Sequence, residues 1–351
     1  MRWPGIGVTS LGLLVGGGIV GREVIRRRRA MDLSGKVVLV TGSSRGLGFV
    51  LAQEFARRGS SLVMCARNES VLREAQREVE SLGAEVLAEP CDVGNPAQVE
   101  KLVAAAVDRF GRIDVVVNNA GVITMSPFEM LDRADFEEAM DSMFWGVYNT
   151  TSAVLPEMRR RKEGTIVNIT SIGGKVAAPH LLPYTSAKSA AVGFSEGLHA
   201  EVARDGVRVV TVVPGFMRTG SHVNARFKGK HRWEYAWFSL LATLPLTSTD
   251  AQRAARRIVM ATRLGETEVI VTPQAQLAAR LHGAMPGLVV DIASAVGRLL
   301  PSTEGNDITK QPALGKESET PVSASFLTSL GRRAAERFNQ NSSPQPSQLP
   351  E

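Results

Sequence analysis

The sequence predicts one α/β domain in which a doubly wound parallel sheet is flanked by helices. Short apolar, β-branched runs at 37–40, 61–64, 85–88, 113–117, 165–169, 207–213 and 268–271 alternate with longer amphipathic stretches. That is the pattern of buried parallel strands joined by helical crossovers. The first run enters a glycine-rich turn, Thr41-Gly42-Ser43-Ser44-Arg45-Gly46-Leu47-Gly48, which opens a helical pattern from Phe49 to Arg58. A chain of 351 residues has room for two domains, yet the alternation never breaks into a second core, and both ends read as appendages.

Residues 1–30 form the first appendage. Pro4 to Gly21 is uncharged and largely apolar, then meets Arg22 and the block Arg26-Arg27-Arg28-Arg29. An apolar helix ending in a basic stop predicts a membrane anchor through residues 4–21, with the following domain on the cytoplasmic side. The segment is near the lower length limit for a span and rich in glycine, so a cytoplasmic protein is the alternative. A cleaved signal peptide fits less well, because only Arg2 precedes the apolar stretch and no Ala-x-Ala site follows it. Arg2, Arg22 and Arg26 to Arg29, less Glu23, carry +5 of the formal +6 charge. The basic balance is therefore local. It argues for anionic lipid headgroups and not for nucleic acid.

Residues 31–272 form the domain itself. Strand, tight glycine turn and helix start make a phosphate cradle: glycine allows close backbone approach, and the helix N-terminus offers unpaired N–H groups and partial positive charge. Its spacing, Gly-x-x-x-Gly-x-Gly, differs from the usual dinucleotide fingerprint. Further along stands Tyr184-Thr185-Ser186-Ala187-Lys188, thirteen residues after Ser171. Tyrosine and lysine one helical turn apart share a face, and the ammonium is expected to bring the phenol pKa down from near 10. Cys65 and Cys91 fall at the ends of the second and third strands, without metal-ligand spacing, and read as small buried residues in a reducing compartment.

Taken together, Thr41 to Gly48, Asn118-Asn119-Ala120-Gly121, Ser171, Tyr184, Lys188 and Pro214-Gly215 stand in the order and spacing of the short-chain dehydrogenase/reductase family, which the chain resembles over about residues 34 to 272. The resemblance implies a Rossmann-type fold, a nicotinamide cofactor, and hydride exchange between a carbonyl and an alcohol. It assigns Tyr184 as proton donor, Ser171 as the group holding the substrate oxygen, and Lys188 as anchor of the nicotinamide ribose and electrostatic aid to Tyr184. Gly42, Ser44, Arg45, Gly46, Leu47 and Gly48 would hold the pyrophosphate, Asp92 and Val93 the adenine. Asn119, Ala120 and Gly121 would brace the sheet beside the cofactor, with Pro214, Gly215 and Thr219 near the nicotinamide. Asp92 has a second reading, as the cap of the next helix.

Cofactor choice turns on the end of the second strand, where an acidic side chain accepts from a ribose hydroxyl and arginine pairs with a 2′-phosphate. That region reads Cys65-Ala66-Arg67, and Arg45 adds a second cation, so NADP(H) is expected over NAD(H). One departure from the family stands at Met143, where an asparagine usually helps hold a water near the lysine; Ser142 or another water chain is the substitute. Helices from Ala134 to Arg160 and Pro183 to Arg204 resemble the family's association surface, which implies a homodimer or homotetramer.

The variable lid, residues 220–249, contains Phe227, Trp233, Tyr235, Trp237 and Phe238, which suggests a small lipophilic carbonyl or alcohol substrate; packing on a bilayer or subunit is the alternative. Residues 273–300 predict two helices broken at Met285-Pro286-Gly287, either covering the substrate mouth or lying on a bilayer. Residues 301–351 are rich in Ser, Pro, Gln, Asn and Glu and predict a largely disordered tail with one short helical pattern near Phe326 to Phe338. The reading is an NADP(H)-dependent carbonyl reductase or alcohol dehydrogenase. A cofactor-binding scaffold or redox sensor with poor turnover, motivated by Met143, and a soluble acyl-linked ketoreductase are the alternatives.

Overall fold

Each predicted apolar run becomes a strand of one sheet. A computed structural model describes residues 30–303, 308–323, 325 and 328–341. The first half comprises β1 (Val37–Thr41), α1 (Gly46–Ala56), β2 (Ser61–Ala66), α2 (Glu69–Glu80), β3 (Val86–Pro90), α3 (Pro96–Phe110) and β4 (Val115–Asn118). After the short β5 (Thr124–Met125) come α4 (Arg133–Met140), α5 (Gly146–Arg161), β6 (Gly164–Ile169), α6 (Leu182–Val202) and β7 (Val207–Val213). The lid and C-terminal part hold β8 (Phe216–Arg218), β9 (Arg226–Gly229), α7 (His231–Thr243), β10 (Ser248–Asp250), α8 (Ala251–Leu264), β11 (Glu268–Ile270), α9 (Pro273–Ala284), α10 (Pro286–Gly297), β12 (Thr309–Leu314) and α11 (Ser329–Arg337).

The main sheet has the order β11-β7-β6-β4-β1-β2-β3, parallel throughout. Alternate residues feed two cores: Val38 and Val40 pack with Phe49, Phe55 and Ile258 on one face, while Val37 and Leu39 pack with Val99, Leu102 and Met158 on the other. This two-faced burial explains why the strands read as continuous apolar runs. The winding direction reverses between β1 and β4, so the loops after these two strands diverge and leave a crevice at their carboxyl ends.

Three expectations change. Within the described part of the predicted tail there is structure: β12 pairs antiparallel with β9, and α11 packs through buried Ala334 and Ala335, in line with the helical pattern read near that region. Composition understated these residues because their few apolar groups bury against the domain and need no core of their own. The lid aromatics divide by role: Phe227, Tyr235 and Phe238 are buried and make the lid's own core at centroid distances of 5.4 and 6.0 Å, whereas Trp233 and Trp237 are exposed. Finally, α9 and α10 form as predicted but lie shallowly on the domain: α9 buries only Ala275 and donates from Gln274 and Gln276 to the Leu246 and Ile270 carbonyls, while α10 buries no residue fully and has Gly297 beside Pro179.

Among the described residues, no helix is long and apolar enough to cross a membrane. The expected anchor through residues 4–21 lies outside the described residues.

Candidate active site

The cradle forms where β1 gives way to α1. Gly42 adopts φ +63°, and a Cβ there would lie 2.9 Å from the Ala120 Cα, so the turn and the loop after β4 touch backbone to backbone. At Gly48 a side chain would collide with the Gly42 carbonyl oxygen and come within 2.5 Å of Asn119 Nδ2. Asn119 Nδ2 donates to the carbonyls of Thr41 at 2.9 Å and Gly42 at 3.2 Å, while Thr41 Oγ1 accepts from the N–H groups of Asn119 and Ala120. Asn119 and Ala120 thus shape the cradle from behind. Ser44 and Leu47 are buried in its wall, and the first turn of α1 carries no acidic residue to cancel the positive helix end. Glycines that let the turn close tightly onto its own backbone, at a helix N-terminus in the switch-point crevice, fit the pyrophosphate of a nicotinamide dinucleotide.

Arg45 and Arg67 flank this cradle closely enough to feel one another. Burial, with repulsion from Arg67 second, pulls the Arg45 guanidinium below its ordinary pKa. Arg67 is exposed, with Glu138 3.9 Å away. Val93 is buried under Gly146, and Asp92 accepts from the Gly94 N–H at 2.9 Å. The cap of α3 is Asn95, whose side chain accepts from the Gln98 N–H, so the helix-cap reading of Asp92 is corrected by three residues.

Ser171 follows β6, while Tyr184 and Lys188 lie in the first two turns of α6, and the structure brings the three together. Both Ser171 Oγ and the Tyr184 ring border Gly173, at 3.5 and 3.3 Å from the place its Cβ would take. Lys188 Nζ, almost fully buried, donates to the Ile169 carbonyl at 2.7 Å and sits 5.9 Å from the Tyr184 ring centre. The expected lowering of the phenol pKa is not present. Burial pushes Tyr184 up, and a hydrogen bond with Ser171 offsets part of that rise. Burial also brings Lys188 down to about 8. The ammonium is directed to a backbone carbonyl, and desolvation acts on both groups in the direction of neutrality.

Met143 lies where the helix from α4 into α5 widens for one turn, residues 141–145. It is fully buried among Ala139, Ala187, Val122 and Tyr184, and its thioether faces Gly121, beside which Lys188 Nζ also lies. Pro214 accepts from the Ile172 N–H, tying the end of β7 to the Ser171 turn, and Gly215 packs on Thr272. Thr219 is buried, with its Cβ 3.9 Å from the point a Gly46 Cβ would occupy.

Two features escaped the sequence reading. A buried polar line, Asn118 to Asn168 to Ser195 to Thr211, crosses from β4 through β6 to α6 and β7 and fixes α6 against the sheet. Strand asparagines in apolar runs were its only signal. The second is the C-terminal segment: the Gly46 N–H donates to the Phe338 carbonyl at 2.9 Å, and Gln340 Nε2 donates to the Thr219 carbonyl at 3.2 Å. No local pattern announces a contact across nearly three hundred residues.

The profile of the short chain dehydrogenase family matches residues 36–228. A putative ketoacyl reductase of Streptomyces coelicolor is 37% identical over 57% of this chain and 77% of its own length. The oxidoreductase UcpA of Salmonella typhimurium is 39% identical over 53% and 71%, and the 3-oxoacyl-[acyl-carrier-protein] reductase FabG of Vibrio cholerae 34% over 54% and 76%. Among solved structures, a short-chain dehydrogenase from Streptomyces avermitilis superposes with a TM-score of 0.65 at 28% identity, covering 79% of this chain and 100% of that one. A short-chain type dehydrogenase/reductase from Mycobacterium marinum gives 0.60 at 25% identity, covering 68% and 94%.

Proposed function

The chain belongs to the short-chain dehydrogenase family, and from that premise we propose that it is an NADP(H)-dependent carbonyl reductase or alcohol dehydrogenase in which Tyr184 is the proton donor. The class itself, an NAD(P)-dependent oxidoreductase acting on CH–OH and C=O groups, follows from membership. The observation that carries the residue assignment is the convergence of Ser171, Tyr184 and Lys188 beside the glycine cradle.

Gly42, Ser44, Arg45, Gly46, Leu47 and Gly48 would hold the dinucleotide's phosphates. Asp92 and Val93 would line the adenine, and Pro214, Gly215 and Thr219 the nicotinamide. When bound, the nicotinamide exchanges a hydride with the substrate carbon. The chain's own groups manage the oxygen. Ser171 Oγ and the Tyr184 hydroxyl meet the carbonyl oxygen and stabilise its growing negative charge. A phenol whose pKa burial has raised stays protonated at neutral pH, as a donor in the reductive direction must. Tyr184 then passes its proton to that oxygen, and the Lys188 ammonium, held by Ile169, offsets the phenolate left behind.

NADP(H) is preferred in this reading because Arg45 at the start of α1 and Arg67 after β2 form a like-charged pair, which a 2′-phosphate would neutralise. Support for a lipophilic substrate is the partly exposed apolar group Ile123, Leu181 and Phe216 packed against the lid core, since Phe227 and Phe238 are themselves buried in it. The basic block after an apolar run supports membrane attachment through residues 4–21. Self-association has support in exposed Trp145 and Tyr148, which with Phe144 and Phe194 form an edge-to-face aromatic cluster on the widened turn 141–145, α5 and α6, next to the bare Gly193 and Gly197.

The test is NADPH consumption on a panel of lipophilic ketones and aldehydes. Tyr184→Phe should lose at least about 100-fold in turnover while NADPH binding persists. Binding without Tyr184-dependent turnover on any carbonyl would favour the scaffold reading instead. A second reading, reduction of an acyl-linked ketone, is favoured by the ketoacyl reductases among the relatives. Faster turnover of a 3-ketoacyl thioester than of every free ketone would select it.

A further inference from the structure

Beyond its proposed chemistry, the crevice already contains part of the protein's own C-terminus. The chain leaves α11 at Phe338, which is buried in the main core cluster beside the start of α1, and its carbonyl accepts from the Gly46 N–H at 2.9 Å. That donor lies on the first residue of the helix, where the cradle presents its N–H groups. Gln340 is also almost fully buried. Its carboxamide donates to the Thr219 carbonyl and would lie 2.7 Å from a Cβ on Gly46. Asn224 Nδ2 holds this glutamine by donating to its backbone carbonyl at 2.8 Å and to its side-chain oxygen at 2.7 Å.

The seat for this segment is built into the lid. A Cβ on Gly220 would collide with the Ala335 backbone, and one on Gly331 would lie 2.5 Å from Thr243 Oγ1 and 2.9 Å from His222 Cε1. Glycine on each side of the contact lets α11 approach the lid closely. Asn339 stands at φ 57°, the left-handed step that ends the helix, closed by the Gln340 N–H on the Ala335 carbonyl at 2.9 Å, and its buried Nδ2 has no hydrogen-bond partner. A tightly seated helix followed by a segment with an unpaired buried amide is suited to release of 338–340 without loss of the helix.

We infer that Phe338–Gln340 is an intramolecular occupant of the dinucleotide site, presenting a carbonyl oxygen to the helix N-terminus and a carboxamide to Thr219, and that cofactor and tail exclude one another. The inference rests on the dinucleotide reading of the crevice. One N–H cannot serve both a peptide carbonyl and a phosphate oxygen at full strength, and the glutamine side chain fills the space beside Gly46. Cofactor entry then requires the tail to leave, and anything that holds the tail away raises cofactor affinity.

NADPH fluorescence titration of the full chain, of a chain ending after Arg337, and of Gln340→Ala tests this. The shortened chain should bind NADPH about tenfold more tightly, as a mostly docked tail requires, and Gln340→Ala should shift the same way by about threefold. Reciprocally, saturating NADPH should speed amide hydrogen exchange at 338–341 in the unmodified chain, a readout that needs no turnover and no variant. Should the shortened chain fail to fold, Gln340→Ala and the exchange measurement decide. Unchanged or weaker binding in the folded variants, or protection of 338–341 by NADPH, overturns the inference while leaving the dinucleotide reading intact. Failure of every form, including the folded shortened chain, to bind NADPH or NADH overturns both.

Discussion

Lys188 Nζ and the Ile169 carbonyl oxygen are 2.7 Å apart, which joins α6 to the end of β6 through a buried ammonium. The contact places Lys188 beside Tyr184 but leaves a cation in a desolvated position, and burial brings its pKa to about 8 from 10.5.

Lys188→Met should therefore separate activity from stability. Below about pH 8 folded and unfolded chains both carry the proton, and the folded state bears the full cost of burying it. Between about 8 and 10.5 the unfolded chain binds the extra proton, so this group makes stability rise with pH across that window. The variant should lose turnover, and urea unfolding should show its stability relative to the parent falling by up to about 3 kcal/mol from pH 7 to 10.5. Parallel stability profiles for the two proteins would contradict the buried-cation account.

Arg45 and Arg67 bear on cofactor choice. Their mutual repulsion would be relieved by a 2′-phosphate. Replacing both by glutamine should raise the KM for NADPH at least about tenfold, from lost charge-assisted hydrogen bonds, and change that for NADH much less. Equal effects on the two cofactors would remove the assignment.

Met143 is packed against Tyr184 and Ala187 with no exposure. Met143→Asn should cost about 2 kcal/mol of stability, because a carboxamide replaces a thioether in apolar surroundings. Turnover should stay within about threefold, since the Lys188 ammonium is already oriented by Ile169. A larger rise would show that proton delivery to Lys188 limits the parent rate.

His222 is expected to set the acid sensitivity of the lid. Burial beside Tyr235 and Gly331 lowers its pKa to about 4 from 6.5. As pH falls through that interval the unfolded chain takes a proton that the folded chain refuses, so stability is lost with acid. In melting curves from pH 7 to 4, His222→Gln should retain up to about 3 kcal/mol that the parent loses over that interval. Equal acid losses would place the titrating group elsewhere.

The seven strands, the cradle and the Ser171, Tyr184, Lys188 set were legible because each is encoded locally. A run such as Val37 to Thr41 buries both faces, a glycine turn leads into the helix that starts at Gly46, and Tyr184 and Lys188 share a face by helical period alone. By itself the sequence thus determined which groups stand at the crevice and in what order. Tertiary structure decided their state and their neighbours: that burial raises the Tyr184 pKa instead of lowering it, that Phe227, Tyr235 and Phe238 turn inward while Trp233 does not, and that Phe338 and Gln340 reach Gly46 and Thr219. Desolvation and long-range contact depend on what packs around a group in space, and residue spacing along a chain carries no measure of either.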